Sequence, residues 1–179
     1  LGLNDINKFD PHKRIIEFAI KKDSNPLIKM SSRDFIDELS RNSPAPGGGS
    51  VAAIAGAMAA ALTSMVTALN YGKKDYLNQS KLLEDIGEKA QILKDELTFL
   101  VDEDTTAFNR IIEANRLPEK NEKEKKAKKM IKQNATIYAI EIPMRTAKNC
   151  FSVLELNKLI ISKVNPNSIS DLGVSSEFA

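Results

Sequence analysis

The sequence predicts an all-α domain: a bundle of long antiparallel helices around one buried helix of small side chains. Three observations carry the prediction. The 21 residues from Ser50 to Asn70 hold no charge and are rich in Ala, Gly, Ser and Thr; a helix apolar on every side is a buried one, in a bundle centre or a subunit interface. Between residues 78 and 115, apolar positions recur at steps of three and four: Ile86, Ala90, Leu93, Leu97, Leu100, Ala107 and Ile111. From Ser31 onward almost every other segment also reads as helix.

In chain order, residues 1–30 form a tail or linker, with a short apolar run at Arg14–Ile20 and turn chemistry at Asp23–Pro26. Ser31 with Asp34 resembles a capping box and opens a helix with Phe35, Ile36 and Leu39 on one face. Asn42–Pro46 stops it. Gly47–Gly49 follow, and Ser50 is the expected N-cap of the small-residue helix. Tyr71–Tyr76 is a polar connection to the long seam helix, which Leu117–Pro118 ends. A last long helix is expected from about Asn121 to Val164, kinked or broken by Pro143. Asn165–Asp171 is a loop, with Ser170 or Asp171 placed to cap a final helix.

Composition excludes several chemistries. The chain has 179 residues, enough for one domain. Its one cysteine, Cys150, rules out an internal disulfide framework and a cysteine-cluster metal site. Cys150 is expected to be an inert core thiol. Its one histidine, His12, rules out a multi-histidine zinc site and disfavours a Ser-His-Asp triad. A net charge of +2, no Trp and 6% aromatics give little basis for nucleic-acid binding. The apolar run is too rich in Ala and too interrupted to predict a membrane span, and no secretory signal opens the chain. These readings leave a cytoplasmic helical domain working through carboxylates, Lys, Ser or backbone groups.

Two constellations stand out. In Ser43–Ser50 (SPAPGGGS), glycines permit positive φ and close approach. The helix start behind them presents free N–H groups and a positive dipole end. The alternative is a tight turn feeding a closely packed helix. The second is Asp104, which falls on the apolar seam one step after Leu100. Desolvation there disfavours the charged form, which suits general acid/base work; the alternative is a buried structural carboxylate. Asp102 and Glu103 lie off the seam and are expected in solvent. Lys120–Lys132 holds seven Lys, read as a solvated helix face through its interspersed Glu residues or as a landing surface for polyanions.

These pieces, SPAPGGGSVAAIAGAMAAALTSMV, YGKKDY, LVDEDTTAF, NRLPEKNEKEK and NPNSISDLGV, resemble the cyclodeaminase part of the formimidoyltransferase-cyclodeaminase family and its stand-alone relatives, the methenyltetrahydrofolate cyclohydrolases. The resemblance spans residues 31–179, and residues 1–30 resemble the end of the transferase domain and its linker. It implies a fused protein whose transferase domain lies outside this chain, and a cyclodeaminase domain cut short at its C-terminus. It implies helical dimers or higher homo-oligomers. The implied reaction converts 5-formimidoyl-tetrahydrofolate to 5,10-methenyl-tetrahydrofolate with release of ammonia, in histidine degradation and one-carbon metabolism. The substrate is a folate, including polyglutamylated forms, and no metal or other cofactor is implied.

By the same resemblance the catalytic residue is Asp104, which the helical phase also selects. The family's folate-binding stretch maps to Ala57, Met58, Ala59, Ala60, Ala61, Leu62, Thr63, Ser64 and Met65, and the chemistry of the glycine loop adds Gly47, Gly48, Gly49 and Ser50 as substrate-binding candidates. Competing readings are a methenyltetrahydrofolate cyclohydrolase, a non-catalytic helical oligomerisation module, and a polyanion-binding surface on the Lys run.

Overall fold

The computed structural model describes residues 26–179, so the expectations for residues 1–25, His12 among them, lie outside the described residues. Five α-helices follow one another: α1 (Ser32–Leu39), α2 (Gly48–Asn70), α3 (Ser80–Arg116), α4 (Glu122–Ile160) and α5 (Ile169–Phe178). Short 3-10 turns at Lys74–Gln79 and Pro166–Ser168 precede α3 and α5. Among the described residues there is no strand. Short connections make successive long helices neighbours and hence antiparallel.

The small-residue helix α2 is central, packing against α3, α4 and α5. By length and composition it is apolar enough to cross a membrane; here half of its most apolar stretch is buried within the fold. Two hydrophobic clusters surround it. One joins Ala53, Ala57 and Ala60 to Leu97, Leu100, Ile142 and Val153. The other joins Val66 to Leu83, Ile86, Ala90, Ile160 and Leu172. The seam positions Ile86, Ala90, Leu97, Leu100 and Ala107 are all buried, as the periodicity predicts. Small side chains set the helix spacing. A Cβ on Gly56 would stand 2.6 Å from the Cys150 sulfur and 3.2 Å from a Leu97 methyl. Cys150 is a buried free thiol, as expected, and burial pushes its pKa up.

Several boundaries differ from the sequence reading. Ser31 does cap α1, accepting from the Asp34 N–H at 3.1 Å, and Phe35 is buried, but Ile36 is exposed. The N-cap of α2 is Gly47, so Ser50 lies inside the first turn. The long seam helix starts at Ser80, not Asn78, behind the 3-10 turn. Helix α4 runs unbroken through Pro143 and ends at Ile160, short of Val164. Pro143 itself is exposed, while buried Ile142 and Thr146 hold the helix against the core on either side of it. Ser168, not Ser170 or Asp171, stands at the N-cap of α5, and Asp171 sits in its first turn, where it complements the dipole.

The polar residues of α2 find partners inside the bundle. Thr63 donates to the Asn157 carbonyl oxygen at 2.7 Å, and the Asn157 amide donates to Ser175 at 2.8 Å and Ser176 at 3.2 Å. Ser175 in turn donates to the Ala59 carbonyl at 2.8 Å. Lower down, the Asn70 carbonyl oxygen accepts from the Asn165 N–H at 2.8 Å. These bonds fasten α5 and the end of α4 onto α2. Asn157→Ala removes three side-chain bonds from the network and leaves Thr63 and Ser175 only each other and the Ala59 carbonyl. It should cost about 2–3 kcal/mol, read as a lower urea midpoint at unchanged m-value.

Candidate active site

The site forms where the N-terminus of α2 meets the middle of α3. The loop Ser43–Gly47, with a cis Ala45–Pro46 bond, brings α2 in end-on. The Ser50 N–H donates to Asp104 Oδ2 at 2.9 Å. The Ser50 hydroxyl lies 3.1 Å from the same oxygen and 2.9 Å from the Val101 carbonyl, sharing one proton between them. Gly49 makes this approach possible: a Cβ there would fall 2.0 Å from Asp104 Oδ1. No glycine of Gly47–Gly49 has positive φ; that conformation belongs to Gly72, at 70°. The triple glycine therefore serves closeness at Gly49, and Gly48 faces open space.

Asp104 is half-buried, and a helix start supplies its environment rather than the apolar seam alone. The α2 N-terminus inserts donors at the point where the apolar seam would otherwise continue. No donor among the described residues reaches Asp104 Oδ1, which leaves that oxygen available to a substrate proton.

The two neighbouring acids are not in solvent, contrary to expectation. Asp102 is 5% exposed and accepts from the Leu27 N–H at 2.8 Å and the Ile28 N–H at 3.4 Å. Its two oxygens dock the segment before α1, and Leu27 is buried in the core, so the packed unit includes residues ahead of Ser31. Glu103 is half-buried and accepts from the Tyr138 hydroxyl, whose ring carries the Arg110 guanidinium 4.1 Å from its centroid. Sequence spacing held no signal for Asp102, since its partners lie 74 and 75 residues away. Of the three consecutive acids, Asp102 has both oxygens engaged, while Glu103 and Asp104 each have one bonded oxygen, and only Asp104 is held by the start of α2.

The remaining candidates are spread over more than one surface. Ala57, Ala59, Ala60, Thr63 and Ser64 are buried against other helices, and Thr63 and Ser64 spend their hydroxyls inside the fold. Met58, Ala61 and Met65 face outward, with Leu62 between. The stretch Ala57–Met65 is thus not one ligand-facing surface within this chain. The Lys run is an exposed helix start, with Lys125 paired to Glu122 and Lys128 to Glu119. Two cavities flank the α2 start. One, of about 450 Å³, has apolar walls from Gly49, Ala52, Ala147, Phe151 and Leu154. The other, of about 300 Å³, lies between Pro44 and Phe108.

Comparison with known proteins places this geometry. Residues 31–179 match the family described as Formiminotransferase-cyclodeaminase. The methenyltetrahydrofolate cyclohydrolase of Methylorubrum extorquens is 39% identical over 141 residues, covering 79% of this chain and 68% of its own. The formimidoyltransferase-cyclodeaminase of Mus musculus is 33% identical over 180 residues, covering 99% of this chain. The chain spans only 33% of that relative's length. A crystal structure of formiminotetrahydrofolate cyclodeaminase from Thermotoga maritima superimposes with a TM-score of 0.73 at 27% identity, over 84% of this chain and 71% of that one. With the helical fold and the family match in agreement, the chain belongs to the formiminotransferase-cyclodeaminase family.

Proposed function

We propose that this domain is a formimidoyltetrahydrofolate cyclodeaminase. The observation that carries the reading is the half-engaged Asp104 carboxylate, pinned by Ser50 over a glycine that leaves room for nothing larger. The match to the fused enzymes supports deamination, because it runs through the first thirty residues as well, whereas that to the cyclohydrolase covers 79% of the chain. The higher identity to the cyclohydrolase favours the second reading, opening of methenyl-tetrahydrofolate by water. Relative rates on the two folates decide between them.

In the proposed reaction the formimidoyl group enters protonated, as an amidinium, and N10 of the folate attacks its carbon on N5. Asp104 Oδ1 takes the proton that N10 loses, and a tetrahedral adduct forms. The same carboxyl returns that proton to the departing nitrogen, the C–N bond breaks, and ammonia leaves with 5,10-methenyl-tetrahydrofolate. Ser50 fixes the carboxylate so that the free oxygen faces the substrate. This scheme needs one acid/base group and no redox step. The exposed Lys run supplies a positive field for the anionic tail of the folate.

A homo-oligomer belongs to the same proposal. Helix α4 exposes Ile137, Ile140, Met144, Ala147, Phe151 and Leu154 at steps of three and four, the pattern of an unpaired helical seam. Met58 and Met65 of α2 are also exposed. The α4 seam meets α2 at the cavity that reaches Gly49, so a second copy seated there closes one side of the site.

Asp104→Asn should lower kcat by about 10²–10⁴, measured as methenyl-tetrahydrofolate absorbance from 5-formimidoyl-tetrahydrofolate; near-normal turnover would remove Asp104 from the mechanism. Gly49→Ala should displace the Asp104 carboxylate and reduce turnover by at least about tenfold, while circular dichroism reports an unchanged helix content. Phe151→Glu should shift the mass seen in sedimentation from oligomer toward monomer; an unchanged mass would free this face from the interface.

A further inference from the structure

We propose that the cavity beside the glycine loop seats the aminobenzoyl-glutamate half of the substrate, and that Arg116 pairs with its carboxylate. The inference rests on the folate reading above. The cavity is lined by Pro44 from the loop and by Phe108, Asn109, Ile112, Glu113 and Arg116 from α3. Phe108, Ile112 and Arg116 continue from Asp104 at steps of four, a single ridge of the helix surface that leads from the acid/base group to the end of α3.

Each part of the cavity matches one part of that half-molecule. Its volume of about 300 Å³ is at the small end of ligand pockets, room for one ring and its amide rather than a whole folate. Pro44 and Phe108 offer apolar faces to a flat aromatic ring. Asn109 brings amide groups that can pair with the benzamide link.

Arg116 stands twelve residues, about 18 Å, along the helix from Asp104, lines the cavity, and has its Cα–Cβ bond tilted toward the N-terminal end of α3. That places a cation one aromatic ring and one amide beyond the reacting nitrogens. No ion pair ties Arg116 to another described residue. Its planar fork suits a carboxylate. Glu113 shares the cavity, so an entering carboxylate must sit on the Arg116 side.

The test compares two probes, 5-formyl-tetrahydrofolate and a pteroate without the glutamate (5-formyl-tetrahydropteroate blocked as its neutral amide), by calorimetry on the full chain. The wild-type chain should bind the glutamate-bearing probe about 10- to 100-fold more tightly. Arg116→Ala should abolish that preference and leave binding of the pteroate unchanged; Arg116→Gln, which keeps helix propensity and side-chain length, should do the same. A preference that survives both substitutions, or a wild-type chain that binds both probes equally, overturns the subsite and leaves the folate reading standing. A wild-type chain that binds neither probe overturns both.

Discussion

The close approach of the α2 N-terminus to α3 is the constraint on which the rest depends. It needs a glycine at position 49, because any side chain there would occupy the space of the Asp104 carboxylate. It needs small side chains along α2, because a helix held that close cannot carry large ones on its inner faces. The unusual composition of residues 50–70 is what this geometry requires. Once α2 is in place, α3, α4 and α5 pack against it and α3 packs on α4, while the face carrying Met58 and Met65 stays exposed.

A core built from alanine buries little apolar area per residue, so such a helix gains less from the hydrophobic effect than a leucine-rich one. Specific hydrogen bonds offset part of this. Thr63, Asn157 and Ser175 form one satisfied network deep in the bundle. Asn70 ties the far end of α2 to the turn before α5. Such networks fix the register of neighbouring helices, since a slip by one residue would strand several buried polar groups at once. The register matters at the opposite end of α2, where Ser50 must meet Asp104 and no other residue.

Much of this was legible in the sequence. The stride of the α3 seam located the buried residues and singled out Asp104, because a charged residue at an apolar phase is a local contradiction that structure must resolve. The small-residue helix was legible for the same reason. The failures have a common physical cause. Asp102 was misplaced because its donors are backbone N–H groups of Leu27 and Ile28, and main-chain donors leave no trace in residue identity. Ser50 was read as a cap because its type suits one, but the glycine before it already starts the helix. Pro143 was expected to kink or break α4; a proline removes a single intrahelical hydrogen bond, and the helix stays continuous through it. The Pro44–Phe108 cavity depends on how a loop folds over a helix, and no spacing encodes that.

In the proposed mechanism one acid/base carboxylate serves deamination and hydrolysis equally well, so the choice between them has to be made by water. The methenyl carbon formed by loss of ammonia is itself open to attack by water, and a cyclodeaminase must keep water from it until release. The walls nearest Gly49 are apolar: Ala52, Ala147, Phe151 and Leu154. Within one chain this face is open, and in the proposed oligomer it is the face that a second copy covers. Coverage would exclude water from the methenyl carbon while leaving the intramolecular attack of N10 untouched, since N10 arrives with the substrate. On this argument the specificity of the family member is written less in Asp104 than in how completely the apolar seam of α4 is sealed.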